Sequence, residues 1–195
     1  MKLNNKYYIL RHGEAMSNVK KVVSSWPEKF KNPLTERGIE MIKESALKLK
    51  NTCAEHGRSI NFIFASPLLR TRQTAEIVGK ILKIKPKTDQ RLKEIDFGNI
   101  NGSPITDVNN AFKKESERIY KAMPEGENYN NVLNRVYNFL IDIDKKYKGK
   151  NILLVSHECP LWVLEAKVNG ISLEEVLKTT LRDHRIHKGE VRELN

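Results

Sequence analysis

Cysteine is scarce in this chain. Cys53 and Cys159 are all it has, too few for a disulfide framework and without zinc-ligand spacing. Aromatic residues make up only 7%, with none of the basic–aromatic interleaving that stacks nucleic-acid bases. No apolar run approaches the roughly 18 residues needed to cross a bilayer, so no membrane partner is expected. Residues 1–6 run straight into a strand-like segment without a signal-peptide core or cleavage site, and the expected location is cytoplasmic. Acidic residues are outnumbered: 24 Asp+Glu against 35 Lys+Arg leave a formal net charge of +11. An excess of that size suggests an anionic partner, whether nucleic acid, membrane surface or phosphorylated small molecule, unless it is compositional background. The 195 residues suit a single domain that buries its own core, and 39% hydrophobic with 30% charged residues argues against long disorder.

What is present alternates. Residues 6–10 read as a buried strand, and residues 35–50 as a helix with Ile39, Ile42, Ala46 and Leu49 on one face and Thr35 as N-cap. A second strand at 61–65 leads into Ser66-Pro67, expected to open a helix that ends near Leu82. Residues 84–88 read as a third strand, and 105–120 as a weakly amphipathic helix. A strong helix covers about 128–147, with Val132, Val136, Phe139, Leu140 and Ile143 inward. The most apolar strand is 151–155, followed by helices from Pro160 and Ser172 and a last strand near 190–194. The pattern predicts an α/β fold: a three-layer sandwich with a mostly parallel central sheet and helices on both faces. Residues 1–195 form one domain on this reading. The stretch at about 99–127 breaks the alternation and reads as a short cap insertion over a ligand site.

Two histidines stand out by position. His12 follows the first strand directly, and His157 follows the strand at 151–155. Both therefore fall at the carboxyl ends of strands, where open α/β sheets bind ligands. His56, His184 and His187 lack such a setting and read as solvated.

Around these histidines the sequence resembles the histidine phosphatase superfamily, whose best-known branch is the cofactor-dependent phosphoglycerate mutases. The resemblance covers most of the chain. It rests on Arg11-His12-Gly13-Glu14, Asn18, Ser24-Ser25-Trp26, and Pro33-Leu34-Thr35-Glu36-Arg37-Gly38. It continues through residues 66–75 (Ser66-Pro67-Leu68-Leu69-Arg70 onward), Arg91 to Gly98 with Asn101-Gly102, Pro124-Glu125-Gly126-Glu127, and Val155-Ser156-His157. The order and spacing of these motifs make the resemblance specific.

The resemblance implies catalytic roles for five residues. His12 would be the nucleophile, forming a phosphohistidine; its ring must be neutral at the attacking nitrogen and held at the other, for which a carbonyl in the Gly13 turn would serve. Arg11 and Arg70 would clamp phosphoryl oxygens with bidentate contacts, and His157 would donate to the same oxygens. Glu94 would act as general acid and then base, which needs a raised pKa. Asn18, Ser24, Ser25, Glu158 and Cys159 are candidate substrate-binding residues, the last two through backbone N–H groups at a helix start. Glu14 would support the pocket. No metal and no cofactor is implied.

Several positions depart from the mutase branch. Ala15 removes a hydroxyl, Ile95 stands where mutases carry an arginine, and Asp96 stands where they often carry a histidine. Glu158 replaces the commonest residue there, a glycine. The insertion lacks the paired arginines that grip a phosphoglycerate and offers Lys113, Lys114, Arg118 and Lys121 instead. These departures favour a metal-independent phosphatase of small phosphomonoesters. The alternative is a 2,3-bisphosphoglycerate-dependent phosphoglycerate mutase, and a third reading is a non-catalytic anion- or nucleic-acid-binding protein. No nucleic-acid partner is expected, because nothing in the chain resembles a nucleic-acid module. Neither the substrate nor the oligomeric state is legible in the sequence.

Overall fold

Apolar runs and helical stripes are assembled here into a sheet between two helix layers. The computed structural model describes residues 2–178 and 185–195. Strand β1 (Lys6–Arg11) is followed by helices α1 (Met16–Lys20) and α2 (Glu36–Glu55), then β2 (Phe62–Ala65), α3 (Leu69–Leu82) and the two-residue β3 (Lys87–Thr88). Helix α4 (Ile105–Ala111) and a 3-10 turn (Glu115–Ile119) precede the long α5 (Tyr129–Lys146). Strand β4 (Asn151–Ser156), helices α6 (Glu158–Val168) and α7 (Leu173–Lys178), and strand β5 (Val191–Glu193) complete the described elements.

The sheet order is β3-β2-β4-β1-β5. Strands β1 to β4 run parallel, and β5 pairs antiparallel with β1. Alternate side chains serve opposite faces. Tyr7, Ile9, Ile152 and Leu154 pack with the apolar stripes of α5 and α6. Tyr8, Leu10, Leu153 and Val155 pack with Ile42, Ala46 and Leu49 of α2 and Ala75 and Val78 of α3. The result is the mixed α/β arrangement expected from the alternation. Lys43, Lys48, Lys50, Lys80, Lys145, Lys146 and Lys148 are all exposed, so much of the positive charge is a solvated shell.

Phe139 tests the α5 face. Its ring is fully buried, edge-on to Phe64 with centroids 5.6 Å apart, and Arg91 lies over it at 5.2 Å. Phe139→Ala is expected to lower unfolding stability by about 3–5 kcal/mol, the usual range for an aromatic truncated in a packed core. Urea titration followed by circular dichroism measures this.

Four local expectations are corrected. The third strand shrinks to Lys87–Thr88, because Lys83 turns left-handed, Ile84 N–H bonds back to Gly79, and Pro86 has no N–H to pair. The segment 105–120 is not one helix: Phe112 is extended and packs beside Val23, Val108 and Met123, separating α4 from the 3-10 turn. Helix α3 starts at Leu69 with Leu68 at the cap position, so Ser66 is not its N-cap. Helix α6 begins at Glu158, placing Pro160 inside the first turn, where its missing N–H would have no helical partner anyway. The five-residue α1 had no expectation at all; Asn18 Oδ1 accepts the Ala15 N–H at 2.9 Å and steadies it.

Candidate active site

The sheet brings the two histidines together. Strands β1 and β4 are neighbours in parallel register, Arg11 opposite Ser156, and the His12 N–H donates to the Ser156 carbonyl at 3.1 Å. His12 and His157 each stand one residue beyond that pair. Their rings meet edge-on with centroids 5.2 Å apart.

His12 is held in one tautomer. Nδ1–H donates to the Gly13 carbonyl at 2.7 Å, which leaves a lone pair on Nε2; there Arg70 Nε–H donates at 3.1 Å. The turn needs glycine, because a Cβ on Gly13 would lie 2.4 Å from the Gly38 carbonyl oxygen. Burial, with the positive charges of Arg70 and Arg11 adding to it, holds the His12 pKa well below the imidazole range. The ring is therefore neutral at neutral pH. His157 is fully buried and also held neutral, chiefly by burial and then by Arg70. Its Nε2 lies 2.8 Å from Ser66 Oγ, and its Nδ1 has no partner among the described residues.

Arg70 is 3% exposed. Its Nη2 donates to the Ser24 carbonyl at 2.9 Å, and its Nη1 lies 3.4 Å from Ser24 Oγ and 3.3 Å from Glu28 Oε1. Burial lowers its pKa to about 10, opposed by Glu94 and Glu28. It remains a cation at neutral pH. Arg11 Nη1 donates to the Ile186 carbonyl at 3.0 Å and pairs with Glu158 at 2.6 Å, while its buried Nε has no partner among the described residues.

Glu94 is carried on a loop that the structure fastens tightly. Arg135 of α5 donates to the carbonyls of Arg91, Lys93 and Glu94 at 2.7–3.0 Å and to both oxygens of Glu127 at 2.8 Å. Glu127 in turn accepts the Asp96 N–H at 3.0 Å. The two loops touch at Gly98, whose φ of +53° and a space only 2.0 Å from the Pro124 carbonyl oxygen admit no side chain. Burial pushes the Glu94 pKa up; Arg70 and the Ile95 N–H oppose this, and the charge of Glu158 adds to the rise. Burial thus outweighs the arginines, and the raised pKa that the general-acid role needs is what the fold provides.

Arg11, His12, Arg70 and Glu94, but not the fully buried His157, line a cavity of about 670 Å³, of a size that takes a small metabolite. Arg11, His12, Asn18, Ser24, Arg70 and Glu94 line its inner end, with Glu158 and Cys159 beside them. Ile105, Val108, Phe112, Lys113, Glu115 and Arg118, from the segment at about 99–127, form an outer wall. Ser25 is not among the lining residues. It is fully buried and ties the Glu94 loop, donating from Oγ to Asp96 and accepting the Phe97 N–H. Glu14 is absent from the lining too; its carboxylate accepts the Thr35 hydroxyl at the start of α2. Burial drives the Cys159 thiol well above its ordinary pKa, so it stays protonated and packs as a small apolar group. His56 is exposed, and His184 lies outside the described residues. His187 is exposed but stands on the cavity wall, beyond its reading as merely solvated. Among the described residues no group of three or more His, Cys, Asp or Glu is arranged to hold a metal ion.

Several site residues were invisible in the sequence. Glu28, Arg135 and Arg185 sit in unremarkable polar stretches and reach the site only through folding. Ser66 was legible, but as a helix cap rather than as the partner of His157.

Two neutral histidines in ring contact, two arginines and a carboxyl group gather at the carboxyl ends of parallel strands, a set of groups suited to phosphoryl transfer. The chain belongs to the histidine phosphatase superfamily (branch 1), whose sequence model matches residues 7–193. It is 29% identical over 185 residues to the "Probable phosphoglycerate mutase GpmB" of Yersinia pestis (strain Pestoides F), covering 90% of this chain and 80% of that one. Its fold is shared with YhfR of Bacillus stearothermophilus, at a TM-score of 0.80 and 24% identity over 96% of this chain and 89% of that one. It is shared as well with the mycobacterial glucosyl-3-phosphoglycerate phosphatase, at a TM-score of 0.77 and 18% identity, covering 96% and 90% of the two chains. The alpha-ribazole phosphatase of Shigella flexneri aligns at a TM-score of 0.74 and 24% identity, covering 95% and 88%. Among the described residues no helix is long and apolar enough to cross a membrane.

Proposed function

We propose that the protein hydrolyses small phosphomonoesters without a metal ion, through a phosphohistidine on His12. The observation that carries this reading is the neutral His12, with Nδ1–H fixed on the Gly13 carbonyl and the Nε2 lone pair among arginines. In the first step Nε2 attacks phosphorus as the ester P–O bond breaks, and Glu94 gives its proton to the departing oxygen. In the second step Glu94, now a carboxylate, takes a proton from water; the water oxygen attacks phosphorus, the P–N bond breaks and phosphate leaves. Arg11 and Arg70 line the cavity where the phosphoryl oxygens would lie, and the Asn18 amide, its oxygen engaged with Ala15, offers its NH2. The buried His157 packs its ring against His12 behind them and carries an Nδ1 unpartnered among the described residues. The substrate partner is a phosphorylated small molecule, and the site calls for no nucleic acid.

The mutase reading is favoured by the GpmB relative. Against it stands the outer wall, whose cations Lys113 and Arg118 lie on a short segment rather than forming a paired arginine grip. The two readings part on the fate of the phosphoryl group. p-Nitrophenyl phosphate should be turned over in excess EDTA, with release of free phosphate. No turnover above buffer overturns the phosphatase reading. So does isomerisation of 3-phosphoglycerate that needs a bisphosphoglycerate primer and releases little phosphate.

A further inference from the structure

The wall beside the phosphate clamp is already charge-balanced. Glu158 pairs with Arg11 at 2.6 Å and with Arg185 at 2.8 Å, and Arg185 also pairs with Glu115. Two cations therefore face two carboxylates. Arg185 lies over the Trp162 ring at 5.5 Å, which fixes its direction. Glu158 and Arg185 are both partly exposed, and both line the cavity. A phosphoryl group reaching Arg11 and Arg70 thus comes to rest next to a fixed negative charge. Glu158 lines the same cavity that the leaving group would occupy.

We propose that Glu158 is a specificity-determining residue: it turns away phosphoesters that carry a carboxylate or second phosphate close to the ester, and admits those whose leaving group is uncharged. This rests on the phosphatase reading and names its substrate class. The physical cause is like-charge repulsion inside a partly enclosed pocket, where a charge is screened less than in water. Arg185 offsets it only in part, because that one guanidinium is shared between Glu158 and Glu115, and Lys113 and Arg118 stand on the outer wall rather than beside Glu158. Burial works against ionisation of Glu158, but Arg11 and Arg185 outweigh it and hold its pKa below the ordinary carboxylate value.

The test is a binding measurement that needs no turnover. 3-Phosphonopropionate and its amide, 3-phosphonopropanamide, differ in one charge and little in shape, and neither is hydrolysed. Titration calorimetry on the intact protein should show the amide binding more tightly. Glu158→Gln should shrink that preference by about tenfold, the scale of one like-charge contact across a partly wet pocket. Glu158→Asp, which keeps the charge, should retain the preference. Equal affinity of the wild-type protein for acid and amide overturns the proposal without any variant. An unchanged preference in Glu158→Gln, or its loss in Glu158→Asp, overturns it as well. If neither phosphonate binds, the phosphate pocket itself is refuted. Failure of the phosphatase reading alone appears separately, as binding with no turnover of p-nitrophenyl phosphate.

Discussion

His12→Ala should lower kcat for aryl phosphates by at least about 10,000-fold, the scale seen when a covalent nucleophile is removed. No other group can stand in. The His157 ring centroid is 5.2 Å away, and its Nε2 lies against Ser66 Oγ. The variant also leaves Arg70 Nε–H without its acceptor, so the clamp itself relaxes. Two measurements check the expectation: initial rates with p-nitrophenyl phosphate, and acid-labile phosphate on the protein after rapid quenching. The wild-type protein should carry that label and the variant should not. Undiminished turnover in His12→Ala would sink the phosphohistidine mechanism.

Glu94→Gln should act unequally on different leaving groups. An alkyl phosphate leaves as a strongly basic oxygen and needs the proton of Glu94. Its kcat/KM should fall by about 100- to 10,000-fold, the usual worth of a positioned acid. A nitrophenolate leaves without help, so its first step should be nearly spared. The second step still needs a base, so phosphoenzyme should accumulate and the product should appear as a burst. The pH dependence follows from the raised pKa of Glu94. The first step requires the protonated acid, so wild-type kcat/KM for alkyl phosphates should decline as pH rises through that pKa. The variant has nothing to titrate there, and its decline should vanish. Equal losses for alkyl and nitrophenyl phosphates, with the pH profile unchanged, would mean that Glu94 only shapes the loop.

The fold was legible where local and long-range demands coincide. The stripe from Val132 to Ile143 and the apolar strand before His157 both reappear as buried elements. Thr35 caps α2 as its sequence setting suggested, accepting the Gly38 N–H at 3.0 Å. Legibility failed where a tertiary contact overrode a local preference. Phe112 leaves the helix to fill a small cluster under the loop at residues 22–25, and Ser66 gives up a cap to meet His157. Propensity is a weak prior once packing or a buried hydrogen bond competes with it.

The sequence by itself determined the chemistry available: two strand-end histidines, Arg11 and Arg70 beside them, and a motif order that marks Glu94. Side-chain type and position along a strand suffice for that, because parallel strands deliver their ends to one edge. Only the tertiary structure decided the electrostatics. Burial sets the neutral state of His12 and the raised pKa of Glu94, and burial is a property of what packs around a group. The pairing of Glu158 with Arg11 and Arg185 joins residues from β1, α6 and the segment before β5. No local pattern encodes a contact between positions so far apart in the chain, so the charge that faces the substrate had to be read from the folded molecule.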